Sequence, residues 1–180
     1  MKRILASLLA LLVTASLARA TTVRPTSIER LAHSASLIVE AEAHDSWAQW
    51  NPEHTLIFTY TRFQVVKTLK GDAARQIVVK QPGGEVPPYA QRIPGVRPFQ
   101  AGEDTLLFLR PSPSGDGTLV VVGLTQGNFQ LYRAPGGALL SSNAVAGVEE
   151  IHQDGSLGGF QATNLTLEEL ESRIREALTQ

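Results

Sequence analysis

The stretch from Thr55 to Glu85 constrains the fold of this 180-residue chain more than any other part of it. A long predicted strand, residues 55–69, is followed by a turn at residues 70–72 and a second strand, residues 76–81. The apolar residues of the first strand change parity, from Leu56, Phe58 and Tyr60 to Phe63, Val65 and Leu69. Because a straight strand keeps its apolar side chains on one face, the change predicts a bulge or a sharp coil. A sheet that bends in this way can curl over its own core, so the pattern predicts a small barrel.

The first twenty residues are typical of a secretory signal peptide. Lys2 and Arg3 precede an apolar run from Ile4 to Leu17, and Ala18-Arg19-Ala20 fits the small-residue cleavage pattern. The run is shorter than the roughly 20 residues that a transmembrane helix needs. We therefore expect cleavage after Ala20, a mature domain of residues 21–180, and a secreted or periplasmic protein without a membrane span.

Charge and cysteine content narrow the class of the mature protein. Without Lys2, Arg3 and Arg19, the 16 basic residues fall to 13 against 17 acidic ones, a formal net charge of −4. An acidic protein is a poor match for the phosphate backbone, so no nucleic-acid partner is expected. The chain has no cysteine, which excludes disulfides and thiolate metal ligands. About 160 residues are enough to bury one core without such cross-links.

Two segments outside the central strands predict helices. Thr26-Ser27-Ile28-Glu29 reads as a capping box before a short amphipathic helix, and Thr166 with Glu169 forms a second one before a C-terminal helix. Between them, residues 37–44 alternate as a half-buried strand, and Thr105–Leu109 is apolar on both faces, which predicts cover on both sides. Residues 143–159 have little periodicity and are interpreted as a loop. The expected fold is mainly β: a small antiparallel, OB-like barrel of five to seven strands with a helix near each end.

The segment from Pro82 to Gly102 is the best candidate for a binding surface. It contains five prolines and four glycines, a composition that cannot pair through a sheet and predicts a structureless excursion. Long irregular segments in compact domains are often functional. The candidate partner-binding residues are Glu85, Tyr89, Arg92, Arg97 and Phe99, together with Trp47 and Trp50 from residues 45–54, which are predicted to be a loop or the flared end of a hairpin.

Each of these candidates also has a simpler interpretation. Arg92 and Arg97 could clamp an anionic group, or could be ordinary solvated arginines. The two tryptophans could contact a ligand, or could cap one open end of the barrel.

An alternative function is an envelope hydrolase or metal-dependent enzyme that uses His44, His54 and nearby carboxylates. The two histidines flank the tryptophan loop and would converge if the flanking strands form a hairpin. No ligand motif matches their spacing, and no Gly-x-Ser-x-Gly nucleophile motif occurs in the chain. No cofactor is expected. A purely structural envelope protein is a third possibility.

Several short motifs carry a resemblance to known families. They are residues 37–41, Tyr60-Thr61 followed by residues 65–71, residues 81–84, residues 102–104 with 106–109, and residues 126–129. Over residues 26–133 the chain resembles a family of exported, uncharacterised bacterial proteins. More remotely, the order of strands is similar to the OB-type barrel of netrin and tissue-inhibitor-of-metalloprotease modules. Those inhibitors reach the protease zinc through an N-terminal cysteine, which this chain lacks, so the resemblance implies the barrel and not that mode of inhibition.

These observations together predict an exported, non-catalytic binding module. It would present the 82–102 segment to a protein or another ligand, in the manner in which OB-type barrels bind through one face and the adjoining loops. A protease inhibitor is one form that such a module could take.

Overall fold

The computed structural model describes residues 21–144, 148–151 and 157–180. The predicted signal peptide lies outside the described residues. Two helices are present in the described ranges, α1 (Ile28–Ser34) and α2 (Leu167–Thr179). The strands are β1 (Thr21–Val23), β2 (Leu37–Trp50), β3 (Ile57–Lys70), β4 (Gln76–Pro82), β5 (Gly84–Val86), β6 (Tyr89–Gln91), β7 (Asp104–Pro111), β8 (Leu119–Val121), β9 (Asn128–Arg133), β10 (Leu139–Ser142), β11 (Val148–Ile151), β12 (Leu157–Gly159) and β13 (Asn164–Thr166).

Five strands close into a ring in the order β2-β3-β4-β8-β7 and back to β2. The mainly β, OB-like barrel predicted from the sequence is therefore confirmed, with a helix near each end. One pairing departs from the antiparallel expectation, because β8 meets β4 in parallel at Val79 and Leu119. Beyond β7, the sheet continues through β9, β10 and β13.

The predicted irregularity lies in the long β2–β3 hairpin. Its register shifts between Ala43 and Ser46, where His44 and Asp45 stand opposite the single residue Arg62. Two further shifts occur nearer the start of β2. Extra residues of this kind bend a strand and strengthen its twist, so they let the sheet curl into a ring. The bulge does not explain the parity change in the sequence, because its extra residue is on β2, whereas β3 keeps Thr59 and Phe63 on its inner face and Tyr60 on its outer face.

Two apolar cores flank the sheet. The interior of the barrel contains residues such as Val39, Phe63, Val79 and Leu107. The opposite face of β2 and β7 is covered by both helices, which bury Ile38, Leu106, Phe108, Leu31, Leu170 and Ile174. Strand β7 is therefore enclosed on both sides, as its doubly apolar sequence predicts.

Several predicted boundaries change. Strand β2 extends to Trp50, so both tryptophans lie in the flared end of a hairpin, which is the second of the two predicted alternatives. Helix α1 is capped by Ser27, whose side chain accepts from the Arg30 amide, and not by Thr26. The Thr166–Glu169 capping box of α2 is confirmed. Residues 143–159 are not wholly a loop, because β11 pairs with β1 and β12.

Candidate functional site

The segment from Pro82 to Gly102 is not structureless. Strands β5 and β6 form a short hairpin through Val86 and Tyr89, with a cis peptide bond between Pro87 and Pro88 in its turn. The expectation that this composition prevents pairing is wrong, since the prolines occupy the turn and leave the amides of the strands free to pair. The hairpin is the projecting half of the segment.

Glycine at position 84 places the hairpin against the barrel. Gly84 has a φ of 139°, and a Cβ atom there would lie 2.4 Å from Thr59 Oγ1 and 3.1 Å from the Ala48 Cβ. Thr59 and Ala48 belong to the inner face of the β2–β3 hairpin, so β5 covers the end of that hairpin from inside. Gln91 completes the attachment, because its Oε1 accepts from the Ile57 amide at 2.6 Å.

An aromatic cluster joins the two hairpins at their tips. The Tyr89 ring meets Trp50 edge-on with 5.5 Å between ring centroids, and His54 stacks on Trp50 at 5.9 Å. Tyr89 remains 61% exposed. On the other side of the hairpin, Glu85 and Arg92 are exposed, with 3.9 Å between their charged atoms. A pair so exposed contributes little stability, so both side chains remain available to a partner.

Phe99 lies in the other half of the segment and is a core residue. It is 6% exposed and packs edge-on against Phe63 at 4.8 Å, inside the barrel. A side chain in that position cannot contact a partner, so the prediction of Phe99 as a surface residue is wrong. The aromatic ring fills the barrel interior because that interior is otherwise lined by aliphatic residues and one phenylalanine.

Arg97 is engaged in a buried ion pair. Its guanidinium donates to Glu103 through Nη1 at 2.8 Å and approaches the second carboxylate oxygen through Nη2 at 2.6 Å. Asn128 accepts a further bond from Nη2 at 3.3 Å, and the Gln100 amide also donates to Glu103. The Glu103 side chain is 4% exposed. Arg97 therefore ties the segment to the start of β7 and is neither a solvated arginine nor a free anion clamp.

Trp47 belongs to a ladder on the outer face of the β2–β3–β4 sheet. It stacks on Tyr60 with 5.6 Å between ring centroids, and the Arg62 guanidinium lies over its ring at 5.7 Å. The Lys80 ammonium lies 5.5 Å from the Tyr60 ring and binds Asp116 at 2.9 Å. Because these partners lie on the outer face of the sheet, Trp47 does not contact the β5–β6 hairpin. It neither caps the barrel nor joins the Trp50 cluster.

Lys80 also approaches Ser114, which raises the question of a serine–lysine pair. The distance from Nζ to Ser114 Oγ is 2.9 Å. Burial favours the neutral amine, but the hydrogen bonds to Asp116 and Tyr60 outweigh it and raise the pKa of Lys80. A general base needs a lysine with a lowered pKa. Lys80 as placed here is an ion-pair partner and not a base for Ser114.

His44 and His54 do not converge. His44 lies at the bulge of β2 and His54 lies beyond the end of that strand, about 20 Å away along it at roughly 3.3 Å per residue. Within residues 21–144, 148–151 and 157–180, no three His, Asp or Glu side chains are grouped as a metal would need. The described residues therefore do not bring His44 and His54 together as the alternative hypothesis requires.

A pair of carboxyl groups between α2 and the barrel has no signal in the sequence. Lys67 on β3 binds Glu171 of α2 and lies 3.3 Å from Glu40 Oε1. Burial and the adjacent Glu171 raise the pKa of Glu40 to about 7. The hydrogen bond with Glu40, aided by Lys67 and Arg175, lowers the pKa of Glu171 to about 2. Period-two alternation predicts that Glu40 lies on the solvent-exposed face of its strand. That face is buried only because α2, which is distant along the chain, packs over it.

Two clefts adjoin the end of β4. One, of about 360 Å³, lies between the base of the β5–β6 hairpin and residues 93–98. The other, of about 450 Å³, lies where the barrel closes between β4 and β8. Gln81, Pro82 and Val96 line both of them. Most of the first wall lies within the predicted binding segment, residues 82–102, in which Glu85 and Arg92 were named as candidates. The sequence did not indicate the wall residues from β3, β7 and β8, because the clefts arise from segments distant along the chain.

No model of a known protein family matches this chain, and no curated protein matches it either. Among the described helices, neither has the length and apolar content that crossing a bilayer requires.

Proposed function

We propose that this protein is an exported, non-catalytic binding module that captures a protein partner through the β5–β6 hairpin. The contact surface consists of Tyr89, Trp50, Arg92 and Glu85. The observation that carries this proposal is the exposed aromatic ring of Tyr89, held in place against Trp50 at the tip of a projecting hairpin. Tyrosine, tryptophan and arginine are the residue types that contribute most to binding energy at protein interfaces.

The attachment of the hairpin supports the same proposal. Gly84, Gln91 and the aromatic cluster fix its position on the barrel, so its side chains need little further ordering when a partner binds. Preorganisation of this kind lowers the entropic cost of association. Export is proposed from the N-terminal signal pattern, with cleavage after Ala20.

The test compares two double variants of the mature protein. In Tyr89→Ala/Arg92→Ala the proposed surface is removed, whereas Tyr132→Ala/Arg133→Ala removes the same residue types from exposed positions of β9. Each protein is incubated with a native envelope extract, the captured proteins are quantified by mass spectrometry, and the dissociation constant of the purified partner is then measured. We expect at least about tenfold weaker binding for the hairpin variant, which is the size of a hot-spot loss. Equal binding by both variants would refute the proposed surface.

A further inference from the structure

A half-buried leucine has a backbone conformation that leucine rarely adopts. Leu124 lies in the turn between β8 and β9, and its φ of 62° is in the left-handed region. A bulky side chain is strained there, whereas glycine would not be. Leu124 belongs to neither of the two apolar cores of the described residues, so core packing does not account for a leucine at this position. Strained residues of this kind cluster at ligand sites.

Leu124 lines the cleft of about 450 Å³ where the barrel closes between β4 and β8, which we call the closure cleft. Val120 and Phe58 line it too and, like Leu124, are only half-buried and belong to neither core. The closure cleft therefore contains apolar side chains that the described part of the chain leaves partly uncovered. Its volume is in the range of ordinary small-molecule sites.

Arg110 gives the closure cleft a positive charge. It lies opposite Val120 and next to Leu109, which is in the barrel interior, so the alternation of the strand places Arg110 on the outer face. Within the described ranges, no carboxylate forms an ion pair with Arg110. The other cation of the cleft, Lys80, is already paired with Asp116 at 2.9 Å. The remaining guanidinium matches one negative charge, and its planar fork matches a carboxylate.

We propose that the closure cleft binds a free aliphatic monocarboxylate, with its chain against Val120 and Leu124 and its carboxylate paired with Arg110. An aliphatic chain suits the walls better than an aromatic ring, because the Lys80 ammonium already lies 4.4 Å from the ring centroid of Phe58. The closure cleft shares no residue with the hairpin surface of the proposed function, so this inference does not rest on that function.

Isothermal titration calorimetry of the mature protein with sodium octanoate tests the proposal. Octanamide has the same chain without the charge, and hexanoate has the same charge with two fewer methylene groups. We expect saturable binding of one octanoate per protein. Octanamide should bind about tenfold more weakly, because it cannot form the charge-assisted hydrogen bonds with Arg110. Hexanoate should also bind about tenfold more weakly, because it buries less apolar surface.

Two variants place the ligand within the closure cleft. Arg110→Met removes the charge and should bind octanoate and octanamide with equal affinity. Arg75→Met is its control, because Arg75 is exposed in the turn before β4 and does not line the cleft; it should keep the wild-type preference. Leu124→Gly relieves the backbone strain and should melt at or above the wild-type temperature. It should nevertheless bind octanoate about three- to tenfold more weakly, because the cleft loses apolar surface.

Three outcomes overturn the inference. They are the absence of saturable octanoate binding, equal affinity of the wild type for octanoate and octanamide, and a Leu124→Gly protein that melts below the wild type but binds octanoate as tightly. If Arg110→Met fails to fold, the comparison of the three ligands on the wild type decides the question. Tyr89→Ala/Arg92→Ala should bind octanoate like the wild type, which keeps this test independent of the hairpin surface.

Discussion

The Glu40 carboxyl lies where a negative charge is costly. It is largely covered by α2, and its neighbours include the carboxylate of Glu171 as well as the ammonium of Lys67. The pair retains one proton more readily than two isolated carboxyl groups would, because burial and repulsion both oppose a second charge. The pKa of Glu40 is the raised one of the two, because Glu171 also binds Arg175.

This arrangement predicts a decrease in stability between mildly acidic and neutral pH. The pKa of Glu40 is about 7 in the folded protein and 4.5 as its ordinary value, so the folded state binds more protons in that interval. The free energy of unfolding therefore falls as the pH rises from 4.5 towards 7. Glu171, with a pKa of about 2, acts in the opposite direction and loses its contribution as the pH falls below 4.5.

Replacement of Glu40 by glutamine should remove the loss of stability between pH 4.5 and 7. Glu40→Gln is expected to be more stable than wild type at pH 8 by on the order of 1–3 kcal/mol and nearly equal to it at pH 5. Urea denaturation at the two pH values measures this, with Glu42→Gln on the same strand as the control. A Glu40→Gln protein less stable than wild type at pH 8 would show that the Lys67 ion pair outweighs the cost of burying the charge.

Among the elements, the segment that follows β6 depends on the Arg97–Glu103 pair. The sequence predicted Arg97 and Phe99 to lie on an irregular binding surface, because local composition reports only the preference of the backbone. Both side chains point inward instead. Phe99 packs against Phe63 in the barrel interior, and Arg97 binds the carboxylate of Glu103. The orientation of these two side chains depends on which groups the rest of the fold places near them.

Breaking this ion pair should loosen the segment. Arg97→Met leaves the Glu103 carboxylate buried without its partner, which is expected to lower the free energy of unfolding by about 3–5 kcal/mol. The double variant Arg97→Met/Glu103→Leu should recover much of that loss, because no buried charge remains. A double-mutant cycle by chemical denaturation measures the coupling, and additive losses in the two single variants would contradict the pairing.

For the whole molecule, helix α2 closes the second core. Leu170 and Ile174 are fully buried between the helix and the extended sheet, where they meet residues of α1, β7 and β9. Replacing a side chain of this kind by alanine lowers the free energy of unfolding by about 2–5 kcal/mol. The combined loss from both residues is comparable to the entire free energy of unfolding of an ordinary domain.

Removal of residues 167–180 should therefore prevent folding. The truncated protein is expected to lose its cooperative thermal transition in circular dichroism and to bind a hydrophobic dye. A shorter truncation that removes only Thr179 and Gln180, which are exposed, is the control and should melt like wild type. A cooperative transition in the longer truncation would show that the barrel is stable without its outer layer.

The proposed export has an equally direct test. The protein recovered from outside the cytoplasm should have Thr21 as its first residue, as intact-mass measurement reports. Ala18→Arg/Ala20→Arg should block this processing, because small residues are required at those two positions. An exported protein that still contains Met1 would contradict the predicted cleavage.

Patterns along the chain were enough to predict the features that depend on near neighbours. Strand periodicity, the Thr166–Glu169 cap and the double cover of β7 all follow from side chains a few residues apart. The remaining features required the tertiary structure: the closure of β4 on β8 through Val79 and Leu119, the burial of Phe99, the raised pKa of Glu40 and the clefts beside β4. Each of these depends on groups brought together from distant parts of the chain, and no local pattern records what a side chain will face once the sheet has closed.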